Sequence, residues 1–190
     1  MNDSSRCELC GQVLPGGADR CCGLDLCPPC LAGEVEARVA GRGFVFTTER
    51  WVVQSRDDNR GDMHHTRVTG TVATSLRPQA RFTRETTGDR VRRFFGRHEL
   101  QAGDRLFDQS IWVETSTPDA TAALLGVVGV HDVILEAVAE LGELRFESNE
   151  GGASIVAHTA WSSNASTPEP TSHARVIACG LHYLQRAFPR

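Results

Sequence analysis

An α+β fold, with a small cysteine-rich module ahead of the main domain, is predicted by three features of the chain. Between residues 44 and 114, short segments rich in Val, Thr and aromatic residues are separated by polar clusters, the pattern of antiparallel strands. Beyond residue 117, helical stripes and a hairpin follow without the regular strand and helix alternation of a parallel sheet. Six of the seven cysteines fall between residues 7 and 30, in a stretch with too few large apolar residues to close a core unaided. The 190 residues suffice for one ordinary domain and an appendage, and 40% hydrophobic with 23% charged residues marks a globular rather than a disordered chain.

The elements follow in order. Leu31, Val35 and Val39 recur at i, i+4 and i+8, which predicts a helix from the last cysteine pair to Gly41. Gly41-Arg42-Gly43 is the natural boundary, dividing the chain into a metal module, 1–41, and an α+β domain, 42–190. On this division the order of the module depends on metal, while the main domain has enough apolar residues to close a core alone. Strands are expected at Phe44–Thr48, Trp51–Ser55, Thr66–Thr74, Ala80–Thr86, Arg90–Phe95 and Gln109–Glu114, with Arg56–Met63 an exposed loop. Thr117 and Pro118 open a helix to Leu125, and a second spans His131–Leu141 and stops at Gly142. Glu143–Ser148 and Ala153–Trp161 form a hairpin around Asn149-Glu150-Gly151-Gly152. Residues 162–170 read as a Ser/Pro-rich loop, and Ile177, Leu181, Leu184 and Phe188 make a terminal helical stripe.

The cysteines carry the clearest chemistry. Cys7-Glu8-Leu9-Cys10-Gly11 places two thiolates three residues apart, with a glycine that lets the backbone turn its N–H groups toward sulfur. Cys27-Pro28-Pro29-Cys30 supplies a second pair at the mouth of the expected helix, where the macrodipole favours anions. Together Cys7, Cys10, Cys27 and Cys30 are the ligand set of a closed, structural zinc site. Cys21 and Cys22 are adjacent, and neighbours seldom ligate one ion together. They are read as spectators, or as replacements for one of the four. Cys179 lies among Val176, Ile177 and Leu181, as a buried small hydrophobe would.

A knuckle, a connecting segment and a second pair that starts a helix resembles the treble-clef zinc finger over about residues 7–40. Cys22-Gly23-Leu24-Asp25-Leu26-Cys27-Pro28-Pro29-Cys30 is similar to the end of FYVE-type fingers, but six cysteines stand in place of eight ligands and the basic lipid-binding segment is missing. The resemblance therefore implies zinc and not lipid recognition. Gly103-Asp104-Arg105-Leu106-Phe107-Asp108 is similar to a G-D-x-x-F-D element of uncharacterised bacterial domains and implies no activity. Asp104 and Asp108 read as a turn with local hydrogen bonds rather than an acid/base pair.

All 20 cationic residues are arginine. A chain without lysine is not a P-loop NTPase, a lysine-dependent kinase, a pyridoxal-phosphate enzyme or an SxxK hydrolase. Neither G-x-S-x-G nor G-x-G-x-x-G occurs, so no catalytic residue is assigned. His64-His65 lies where alternate strand faces separate the two rings and prevent chelation. Charge is uneven: residues 42–105 hold 13 Arg against 8 acids, and residues 106–190 hold 4 Arg against 10 acids. The excess gathers in 77–97, where Arg90, Arg92 and Arg93 are candidate anion-binding residues beside Phe94 and Phe95. No apolar run reaches the length of a membrane span, no leader pattern precedes the cysteines, and cysteine crowding of this kind fits a reducing compartment. The expectation is a cytosolic zinc-binding protein whose partner is another protein. The alternatives are nucleic-acid binding through the arginine-rich segment and an enzyme with an unrecognised site.

Overall fold

The computed structural model describes residues 6–14, 19–54, 61–86, 100–162 and 173–190. The fold is α+β. Its frame is a six-stranded, wholly antiparallel sheet built from β3 (Val45–Val53), β4 (Met63–Val72), β5 (Ala80–Arg84), β6 (Ile111–Thr115), β7 (Glu143–Asn149) and β8 (Gly152–Ser162), in the order β3-β4-β8-β7-β5-β6. The expected hairpin is present as β7 and β8, paired from Asn149↔Gly152 to Leu144↔Ala157. The two expected strands before residue 56 are instead one continuous β3, because Glu49 and Arg50 stay in register opposite Arg67 and Thr66. The expected strand Arg90–Phe95, most of the loop Arg56–Met63 and nearly all of the loop 162–170 lie outside the described residues.

One sheet face is apolar. Thr66, Val68 and Val72 of β4, Phe82 of β5, and Leu144 and Phe146 of β7 are buried on it in the alternation of a strand, and Ile155 and Ala157 of β8 join them from a stretch, 152–157, that is buried throughout. Helices α5 (Val130–Leu141) and α6 (His173–Ala187) cover this face. Glycine permits the close approach of α6: a Cβ at Gly70 would lie 2.2 Å from Ile177 Cγ2, and one at Gly180 2.5 Å from Ile155 Cδ1. Helix α4 (Pro118–Leu125) leads into α5 through Gly129, which has φ +92. Among the described residues no single helix is long and apolar enough to cross a membrane.

Residues 103–110 differ from expectation. Asp104 caps a helix, α3 (Arg105–Ser110), so the next strand starts at Ile111 rather than Gln109. Asp104 Oδ1 accepts from the amides of Leu106 (2.9 Å) and Phe107 (3.2 Å), while Asp108 accepts from Ala102 (2.8 Å) and Gly103 (3.1 Å). Both carboxylates thus accept from local backbone donors, Asp104 as the N-cap, and Asp104 Oδ2 also lies 3.6 Å from His131 Nδ1.

The N-terminal module is a short hairpin, β1 (Asp19–Cys21) and β2 (Leu24–Leu26), followed by α1 (Pro28–Leu31), α2 (Glu36–Val39) and a 3-10 turn at Ala40–Arg42. The single helix expected over 31–40 is broken because Gly33, at φ +92, turns the chain between α1 and α2. Val35 and Val39 are buried all the same, in one apolar cluster that also holds Leu24, Leu26, Val130 and Leu184.

Candidate metal centre

Each half of the cysteine tetrad is set by its local backbone. The knuckle closes through Cys7 N–H to Gln12 O (2.8 Å) and Gly11 N–H to Cys7 O (2.8 Å), with Gly11 at φ +79. Glu8 ties it to β2 from both sides, its N–H donating to Asp25 O (2.9 Å) and its carboxylate accepting from the Asp25 amide (2.8 Å). Cys27 is the N-cap of α1, and Pro28 at the first helical position keeps the turn helical without needing a hydrogen-bond acceptor. Because α1 is a single turn, any dipole contribution to the Cys27–Cys30 pair is that of one turn only.

The result is four sulfurs, of Cys7, Cys10, Cys27 and Cys30, within 4.8 Å of one another. Cys10 Sγ and Cys27 Sγ, from opposite halves, are 3.6 Å apart. A zinc–sulfur bond of about 2.3 Å gives a tetrahedral edge of about 3.8 Å, so the donor set fits a zinc ion. Burial opposes ionisation of Cys7, but the amides of Cys10 and Cys27 directed at its sulfur outweigh it and bring the thiol down to about 7. Burial holds Cys27 and Cys30 up, and the Cys27 sulfur adds to the effect at Cys30. A cation entering the tetrad therefore meets one thiol near its titration point and displaces protons from the others.

Cys21 and Cys22 stand apart from this tetrad. Their sulfurs, 3.5 Å from each other, gather with that of Cys179 from α6 in a second group spanning no more than 4.8 Å. Glu136 of α5 meets this group through Oε1 at 2.9 Å from Cys21 Sγ and Oε2 at 3.1 Å from Cys22 Sγ. Hydrogen bonds from Cys179 and Cys22 hold Cys21 down to about 2, while their sulfurs are held up. Burial, with the Cys21 sulfur beside it, raises Glu136. Cys179 is buried as expected, but it faces two other sulfurs rather than hydrocarbon alone. No spacing rule joins a residue near position 20 to one near 180, so the grouping is not legible in the chain.

Among the described residues the sheet face opposite the helices is uncovered, polar and rich in both charges. Arg81 donates to Glu143 (2.6 Å) and reaches Glu114 (3.4 Å), Arg145 pairs with Glu143, and Arg67 lies 4.0 Å from both Glu49 and Glu147. At one end Trp51, His65 and His158 stack nearly parallel, with centroids 5.0 to 5.5 Å apart and the two imidazole nitrogens at 3.2 Å. An open groove of about 630 Å³ on this face is lined by Arg81, Glu114, Arg145 and Glu147, all of which have the partners just named. Arg90, Arg92 and Arg93 lie outside the described residues. Within 77–86, Arg81 is ion-paired and Arg77 is spent on the carbonyl of Thr74. The chain matches no protein-family model, no curated protein and no solved structure.

Proposed function

We propose that this is a zinc-binding protein in which Cys7, Cys10, Cys27 and Cys30 hold one structural zinc in a treble-clef-like module, and that it acts by binding another protein. The carrying observation is the tetrad itself: four thiols from two C-x2-C pairs, three of them buried, with their sulfurs within 4.8 Å of one another. Four protein ligands leave no open position for a substrate, which makes the ion a structural rather than a catalytic one. A protein partner is supported by the uncovered sheet face, where a balanced mesh of Arg and Glu surrounds an aromatic stack that includes the half-exposed Trp51. Elemental analysis tests the metal: Cys7→Ser and Cys30→Ser should each lose one zinc per chain, and undiminished zinc in either variant overturns the assignment. Affinity capture from the native host tests the partner, with Trp51→Ala expected to lose the captured protein.

A further inference from the structure

The second sulfur group needs an explanation that packing does not supply. Cys21, Cys22 and Cys179 are 6%, 3% and 0% exposed, and the carboxylate of Glu136 is pressed against two of their sulfurs. Three sulfurs gathered within 4.8 Å of one another, with a carboxylate beside them, are the donor types of a zinc site, although Glu136 itself is partly exposed and already accepts from Arg175 (2.9 Å) and the Cys22 amide (3.0 Å). We infer that Cys21, Cys22 and Cys179 form a second zinc site, separate from the tetrad, and that Glu136, which touches two of the three sulfurs, turns in to supply the fourth, oxygen ligand.

The backbone shows how two neighbouring cysteines, which seldom ligate one ion together, can do so here. Cys22 has φ +53, and it is the one non-glycine with positive φ among the described residues. In this left-handed conformation the Cys22 side chain swings to the side of Cys21, and the two sulfurs come to 3.5 Å, close to a tetrahedral edge of about 3.8 Å. A β-carbon in this region is strained, and the surroundings hold it there. Tyr183 Oη donates to the Cys22 carbonyl (2.9 Å), and the Cys22 amide donates to Glu136 Oε2 (3.0 Å).

Charge and donor type select the ion. Three thiolates and a carboxylate carry four negative charges, of which a divalent cation removes two. Arg175, 2.9 Å from Glu136 Oε1, offsets part of the remainder and fixes the carboxylate's orientation. Sulfur donors favour zinc over magnesium or calcium, and four protein ligands close the site. Its ligands come from the end of β1 and the turn after it, α5 and α6, so the ion joins the module to the main domain.

The site shares no ligand with the tetrad, so the two assignments fail independently. The full chain, purified under reducing conditions, is expected to carry about two zinc ions, and Cys22→Ala and Cys179→Ala about one each. Cys7→Ser should also fall to about one, by losing the other ion. Loss in Cys7→Ser with no loss in Cys22→Ala and Cys179→Ala overturns this site and leaves the tetrad standing; the reverse pattern does the opposite. If a variant fails to fold, X-ray absorption on the unaltered protein decides: two filled sites give an average of about 3.5 sulfurs and 0.5 oxygen per zinc. A shell of four sulfurs alone, or a disulfide within the trio under reducing conditions, rejects the second ion.

Discussion

A methyl group at position 129 would fall 2.2 Å from the Tyr183 hydroxyl, the same hydroxyl that holds the Cys22 carbonyl. Gly129 also sits at φ +92, so Gly129→Ala combines backbone strain with a collision. We expect it to cost about 2–4 kcal/mol, read as a lower denaturation midpoint, and a neutral result would mean that the Tyr183 contact is dispensable. His182 offers a second test. Burial, reinforced by the Arg42 guanidinium 3.0 Å from its Nδ1, lowers its pKa. A histidine depressed in the folded state is protonated first in the unfolded chain, so its contribution to stability is complete above about pH 6.5 and is lost as the pH falls through the folded value. Thermal midpoints measured from pH 7.5 down to 5 should therefore fall less steeply in His182→Gln than in the unaltered protein. At this scale the sequence discloses what is local. The C-x2-C pairs are legible because each makes its own turn, whereas the meeting of Cys22 with Cys179 rests on a left-handed φ and on packing 157 positions away, neither of which leaves a mark on spacing.

Elements whose period is enforced by one buried face were the readable ones. β7 and α5 alternate or stripe cleanly because one face of each meets the shared dry interface, whereas β8 and α6 are buried without interruption over 152–157 and 176–181. Where that interface is absent the pattern fails. β3 is an edge strand exposed on both sides for most of its length, so nothing in its composition distinguishes one strand from two. The stripe Leu31, Val35 and Val39 is real as burial yet arises from two separate turns, because Gly33 changes direction without changing which side is covered. The same scale bears on nucleic acid. On the open sheet face Arg67, Arg81 and Arg145 confront Glu49, Glu114, Glu143 and Glu147, so that among the described residues this face has no positive surplus for phosphate. Titration with single-stranded DNA or RNA at physiological salt should give no submicromolar binding. Tight binding, lost in the combined Arg90, Arg92 and Arg93 to Ala variant and weakening with log salt by about 0.7 per phosphate, would reinstate the arginine-rich segment as an interface.

At the scale of the whole molecule the boundary at Gly41–Gly43 is crossed by buried groups. Arg175 donates to Leu31 O (2.9 Å) and Tyr183 to Cys22 O (2.9 Å), both from the terminal helix, whose Gln185 also holds the boundary itself at Arg42 O (2.8 Å). Leu24, Leu26, Val35 and Val39 belong to the same apolar cluster as Val130, Val133 and Leu184. Composition favours a module that depends on metal and a domain that does not. These contacts make the module part of what the domain buries. Zinc bound only by the folded chain stabilises everything that unfolds with its site, and structural zinc supplies an apparent 10–16 kcal/mol in small finger peptides. If chelation withdraws even about 3 kcal/mol from the shared interface, the midpoint of a domain of this size should fall by about 6–12 °C. We therefore expect calorimetry of the chelated full chain to show one cooperative transition at lower temperature, and a chain beginning at Arg42 to melt lower still. Should the main transition keep its temperature in both cases, the two bridging hydrogen bonds contribute nothing to it, and the module is an appendage that folds on its own metal.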